Sequence, residues 1–167
     1  MTKAEIRHYY LNKRKEFSPH DMENKQQGLI KHCALFDLSP YAVVHLFLSI
    51  EKQREPNTYF LLEHLFSEGK TVVTSRSDFN TKKMTHWAVS PDSLLQTNHY
   101  GIPEPNEGTL VLPSAIDLVF VPLLGYDFKG WKQAYNDQEF WDPYCHFTNL
   151  AATSHGRQGQ NHMAYNR

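Results

Sequence analysis

Ala42-Val43-Val44-His45-Leu46-Phe47-Leu48 is a short apolar run rich in strand formers. That is the pattern of a strand buried on both faces, as in a parallel sheet covered by helices. A strand with one face in water would alternate apolar and polar residues instead. Asp117-Leu118-Val119-Phe120-Val121-Pro122 repeats the pattern, Thr71-Val72-Val73-Thr74 gives a shorter version, and residues 84–89 supply a further strand. Helical signals precede and separate these runs. Thr2-Lys3-Ala4-Glu5 has the composition of a capping box, with Ile6, Tyr9 and Tyr10 following at helical spacing to about residue 17. Ser18-Pro19 opens a second helix carrying Met22, Leu29, Ile30 and Cys33. Thr58 is placed to cap a third, which Gly69 stops, and Ser90-Pro91-Asp92 reads as the start of a short fourth. Helices alternating with short buried strands predict the α/β class: a three-layer open, largely parallel sheet with helices on both faces. Ligands of such sheets bind beyond the carboxyl ends of the strands, which directs attention to the segments after Ser49, Thr74 and Pro122.

The composition narrows the partners. A chain of 167 residues is one domain of ordinary size, read here as a single unit over residues 1–150 followed by a polar tail over 151–167. With 40% hydrophobic and 13% aromatic residues it can bury a real core, and a net charge of −1 argues against nucleic acid or an anionic membrane as the main partner. No run approaches the roughly 18 apolar residues that span a bilayer. The Lys-rich start does not read as a signal peptide. Two cysteines, Cys33 and Cys145, form no disulfide framework, so the expected setting is reducing and cytoplasmic. Ten histidines show no metal-binding spacing and read as scattered surface residues. The expectation is a monomer acting on a small molecule. No Walker loop and no dinucleotide fingerprint is present, and a sugar-phosphate isomerase on a similar sheet, the alternative enzyme reading, lacks a clear phosphate loop.

Four segments, in order and at the right spacing, carry a resemblance. They are Lys3-Ala4-Glu5-Ile6-Arg7; Phe47-Leu48-Ser49-Ile50 with Glu55-Pro56-Asn57-Thr58; Gly101-Ile102-Pro103-Glu104-Pro105; and residues 117–122 followed by Leu124-Gly125-Tyr126-Asp127 and Gly130. Together they resemble the 5-formyltetrahydrofolate cyclo-ligase family over about three quarters of the chain. The resemblance implies conversion of 5-formyltetrahydrofolate to 5,10-methenyltetrahydrofolate, with ATP as co-substrate and Mg2+ as metal.

The resemblance also implies site residues. Lys3, Ala4, Glu5, Ile6 and Arg7 would contact ATP, with Lys132 standing in for a phosphate-binding Arg. Lys3 and Arg7 lie four apart, on one helix face, where an unaided reading gives a solvated cationic pair. Ile50, Glu55, Asn57, Tyr100 and Glu104 would line the folate site. Asn57 stands where the family has an acidic residue and cannot supply its charge. Read alone, Asn57 is a neighbour of a helix cap, and the stretch from Tyr100 to Glu104, with Pro103, is a rigid turn. Asp142 would hold magnesium.

The pattern fails after Gly130. The family places there an Asn-Arg pair, three glycines at alternate positions, two aromatics and an Asp. This chain has no glycine between Gly130 and Gly156, and Asp137 and Glu139 put negative charge where phosphates would lie. The abrupt change favours a C-terminal stretch read from a displaced frame over a divergent site. Two outcomes follow for the chain as written: a poor catalyst, or a folate- or nucleotide-binding relative that has lost catalysis.

Overall fold

The computed structural model describes residues 2–126 and the strands Lys132–Ala134 and Leu150–Ser154. The first helix, α1 (Lys3–Glu16), begins with the expected capping box. The Thr2 hydroxyl accepts from the Glu5 N–H at 3.3 Å, and the Glu5 carboxylate accepts from the Thr2 N–H at 2.7 Å, satisfying donors that a helix start leaves open. Ser18 and Asp21 do the same for α2 (Pro19–Ala34). Strand β1 (Val43–Leu46) leads through a 3-10 turn (Glu51–Gln53) into α3 (Tyr59–Ser67).

Thr58 is the N-cap residue of α3, but its hydroxyl does not cap the helix. Fully buried, it donates to the Phe47 carbonyl at 3.0 Å and accepts from the Ser49 N–H at 3.2 Å, joining the end of β1 to the start of α3. The Asn57 side chain instead accepts from the Tyr59 N–H at 2.8 Å.

Strands β2 (Thr71–Asp78) and β3 (Lys83–Val89) form an antiparallel hairpin. The helix expected at Ser90-Pro91-Asp92 is not there. The Ser93 hydroxyl accepts from the Ser90 N–H at 2.9 Å and the Ser93 N–H reaches the Ser90 carbonyl at 3.0 Å, closing a turn. A separate ribbon of β4 (Leu95–Thr97) and β5 (Pro103–Pro105) follows, then β6 (Thr109–Val111) and β7 (Leu118–Tyr126).

The α/β class, open sheet and two helical layers match the sequence reading. The sheet runs β6-β3-β2-β1-β7, and its centre is parallel, with β1 paired to both β2 and β7. Antiparallel strands flank that centre: β3 and β6 beyond β2, and β8 (Lys132–Ala134) and β9 (Leu150–Ser154) on β7. No strand period is legible in residues 150–154, whose strand conformation comes from pairing with residues 118–122 of β7. Asp117 fixes the register of the centre, because one carboxylate oxygen accepts from the N–H groups of Ala42 at 2.9 Å and Val43 at 2.8 Å.

On one face of the sheet, Val44, Leu46, Val72, Leu118 and Phe120 pack with Cys33 of α2 and with Leu61 and Leu65 of α3. Burial pushes the Cys33 thiol up to about 11, so it stays protonated and packs as a small apolar group. Helix α1 packs against β7, and its Arg7 reaches the opposite face of the sheet. Cys145 lies outside the described residues. Among the described residues no helix is long and apolar enough to cross a membrane.

Candidate active site

Alternation along β1 turns His45 away from the Val44–Leu46 core and onto the face shared with Val73 and Val119. There it meets a cavity of about 370 Å³ over that face of β1, β2 and β7. The floor comes from His45, Ser75, Val119 and Val121. One wall is Arg7 of α1, a second is Ile50, Gln53 and Glu55 after β1, and a third is Tyr100 and Ile102 between β4 and β5 with Pro103 at the start of β5.

Each wall is held by local bonds. The Glu55 carboxylate accepts from the Ile50 N–H at 2.8 Å and lies 3.7 Å from the Arg14 guanidinium, with its side chain only 7% exposed. Burial raises its carboxyl above the usual range, while the Ile50 bond and the charges of Arg14 and Arg7 pull it back down. Asn98 shapes the third wall by accepting from the N–H groups of Tyr100 at 2.9 Å and Ile102 at 3.1 Å. Gly101 has φ of +85°, and a Cβ there would stand 3.4 Å from the Ile50 side chain, so two walls meet at this glycine. Tyr100, half exposed, lies 4.1 Å between ring centroids from Phe79, and both line the cavity.

The floor carries a polar group that residue patterns did not single out. His45 Nε2 and the Ser75 hydroxyl are 2.7 Å apart, and the same hydroxyl is 3.3 Å from His86 Nδ1. A hydroxyl can donate to one ring and accept from the other. Burial, and then the neighbouring His86, push His45 down to about 3, so it is neutral at ordinary pH. His86 is also lowered by burial. The reading of the histidines as scattered surface residues therefore fails at His45, which is 3% exposed. The available signal was its place inside an apolar strand run.

The structure brings Arg7, Ile50, Glu55 and Tyr100 together on this cavity. Glu104 does not line it but accepts from the Ser77 N–H at 2.9 Å, bracing the ribbon against β2. Asn57 lies apart too, its backbone N–H and C=O both bonded to the Gln26 amide at 2.9 Å. Ala4 and Glu5 line a shallow groove on α1 with His8 and Tyr9, and Ile6 is half-buried. The side chains of Lys3 and Lys132 lie outside the description, as do Asp127 and Asp142 entirely. Among the described residues no group of three His, Cys, Asp or Glu side chains could hold a metal ion.

A family model described as the 5-formyltetrahydrofolate cyclo-ligase family matches residues 1–134. The chain belongs to that family. Among solved structures, the NMR structure of Aquifex aeolicus 5,10-methenyltetrahydrofolate synthetase is similar, with 25% identity and a TM-score of 0.69 over 82% of this chain and 69% of that one. A 5,10-methenyltetrahydrofolate synthetase from Mycoplasma pneumoniae shares the fold at 19% identity, with a TM-score of 0.61 over 81% of this chain and 73% of its own. No curated protein sequence matches. The cyclo-ligase match ends within β8, close to where the sequence pattern fails.

Proposed function

We propose that the chain converts 5-formyltetrahydrofolate to 5,10-methenyltetrahydrofolate with ATP, releasing ADP and phosphate. The observation that carries this reading is the convergence on one cavity of Arg7 from the first family motif, Ile50 and Glu55 from the second, and Tyr100, which immediately precedes the third. In the reaction the formyl oxygen takes the γ-phosphoryl group of ATP, the second folate nitrogen attacks the activated carbon, and phosphate leaves with that oxygen. Both nitrogens belong to one substrate, so the protein's task is positioning and charge stabilisation.

Arg7 is assigned to phosphate, and Lys3 on the same helix is assigned with it. Glu55 is assigned to the polar edge of the folate, Ile50 and Tyr100 to its planar ring. Asn57 and Glu104 act one step removed, by holding α3 and the ribbon in place. Magnesium, held with Asp142, would neutralise phosphate charge.

The test is the absorbance rise of methenyltetrahydrofolate with ATP and magnesium, on protein of verified mass. The expected result is folate-dependent turnover well below the roughly 1–10³ per second of ordinary enzymes. Absence of turnover would overturn the conversion, and absence of calorimetric binding of 5-formyltetrahydrofolate as well would overturn the folate reading altogether. A second reading, a folate-binding relative without catalysis, is favoured by the missing glycines after Gly130. It predicts binding heat with no absorbance rise.

A further inference from the structure

Two arginines cross between α1 and the segment after β1, and each grips backbone on the other side. Arg14, in the last turn of α1, donates to the Gln53 carbonyl at 3.2 Å and lies 3.7 Å from Glu55. Arg54 donates in return to the carbonyls of Lys15 at 2.7 Å and Phe17 at 2.6 Å. Those carbonyls close α1, where helix geometry leaves acceptors open and a cation is favoured. Arg54 does this from a left-handed backbone, φ 52° and ψ 42°, which a non-glycine residue adopts only when its surroundings hold it there. Helix α1 carries Arg7 on one wall of the cavity, and the segment that Arg54 pins carries Ile50 and Glu55 on another.

We propose that Arg14 and Arg54 are positioning residues of this site, a crossed latch that holds the phosphate-side helix and the folate-side carboxylate at one fixed separation. The inference rests on the proposed function for its ligands, and on geometry for the latch itself. Two opposed walls that meet different substrates must keep their spacing while both are bound, and the paired arginines supply that constraint. Arg14 has a second effect. The charged groups that face Glu55 are Arg14 and Arg7, both from α1, and its own segment contributes the Ile50 N–H. Removing Arg14 therefore leaves the buried carboxylate easier to protonate, and a protonated Glu55 loses its negative charge toward the folate.

Three variants test this: Arg54→Gly, Arg14→Gln and Arg14→Lys. Glycine takes the left-handed backbone without strain, so Arg54→Gly removes the guanidinium while sparing the turn. Titration calorimetry with 5-formyltetrahydrofolate at pH 6 and pH 8 is combined with a carbon-13 titration of the Glu55 carboxyl, and melting curves confirm folding.

Arg54→Gly is expected to lose about tenfold in folate affinity, the scale of a charge-assisted bond, with the Glu55 midpoint unchanged. Arg14→Gln is expected to raise the Glu55 midpoint and to lose more affinity at pH 6 than at pH 8. Arg14→Lys is expected to restore the midpoint and part of the affinity. A folded Arg54→Gly that binds folate like the parent chain would overturn the latch, as would a Glu55 midpoint that stays put in Arg14→Gln. If Arg14→Gln does not fold, Arg54→Gly decides. If the parent chain gives no heat with the folate, the proposed function fails, and the Glu55 midpoint judges the Arg14 contact on its own.

Discussion

The two faces of the central strands share one backbone and follow different rules. On one, Val44, Leu46, Val72 and Leu118 are at most 1% exposed and sealed by α2 and α3. On the other, one residue along the same strands, His45 and Ser75 form the floor of a cavity. Because side chains alternate along a strand, both faces are specified by one register, and a slip by one residue would exchange them. The sealed face holds the domain together through area. The open face keeps a buried imidazole neutral, at an energetic cost the sealed face helps to offset.

Substitutions that separate the faces should rank accordingly. Leu61→Ala, on the sealed face, should cost about 2–5 kcal/mol by chemical denaturation. A cost below that range would mean the cavity side carries more of the stability than its burial suggests. Arg7→Ala should weaken ATP by about 1.5–3 kcal/mol in a binding titration. Unchanged nucleotide affinity would remove α1 from the phosphate site.

Acid should weaken the open face first. His45 falls to about 3 in the folded chain, against an ordinary value near 6.5, so the unfolded chain binds the extra proton between those values. Its contribution is complete above about pH 6.5 and lost toward pH 3, at roughly 1.4 kcal/mol per pH unit. Comparing the chain with His45→Asn in denaturant series at pH 7, 6 and 5 isolates that slope. Equal slopes would place a proton on His45 in the folded state.

The smallest effect should come from Glu55→Gln. Its carboxyl is raised by burial, so the folded chain holds the proton more tightly than the unfolded one. Stability from this group is present at low pH and lost as pH rises through the folded value. The amide should therefore melt at or slightly above the parent temperature at pH 7, while folate binding falls. A lower melting temperature would show that the Arg14 contact outweighs the burial cost.

Much of the scaffold was legible because its signals are local. Thr2 and Glu5 lie three residues apart, Ser18 and Pro19 are adjacent, and the apolar runs at β1 and β7 need no partner to be recognised. What escaped depends on distant chain. Residues 150–154 become a strand only against β7, and Asn57 rather than Thr58 supplies the cap because Thr58 is engaged by Phe47 and Ser49. At the site, Ile50, Glu55 and Tyr100 were named through a family resemblance, whereas the grip of Arg54 on Lys15 spans 39 residues and leaves no periodic trace. His45 was grouped with scattered surface histidines, although it stands inside an apolar run that is buried on both faces.

The grip of Asp117 on the start of β1 also sets an order of events. It joins backbone 75 residues apart, and β1 has no parallel partner on that side until residues 118–120 exist. At about 5–20 residues per second, a ribosome needs roughly 4–15 seconds to supply them. Once β2 has emerged, Val44 and Leu46 have only that strand beside them for the rest of the interval, and the strand's other edge is open to pairing with neighbouring chains. Completion of the central sheet is thus a late step in synthesis, and a chain ending before Asp117 would display that edge permanently.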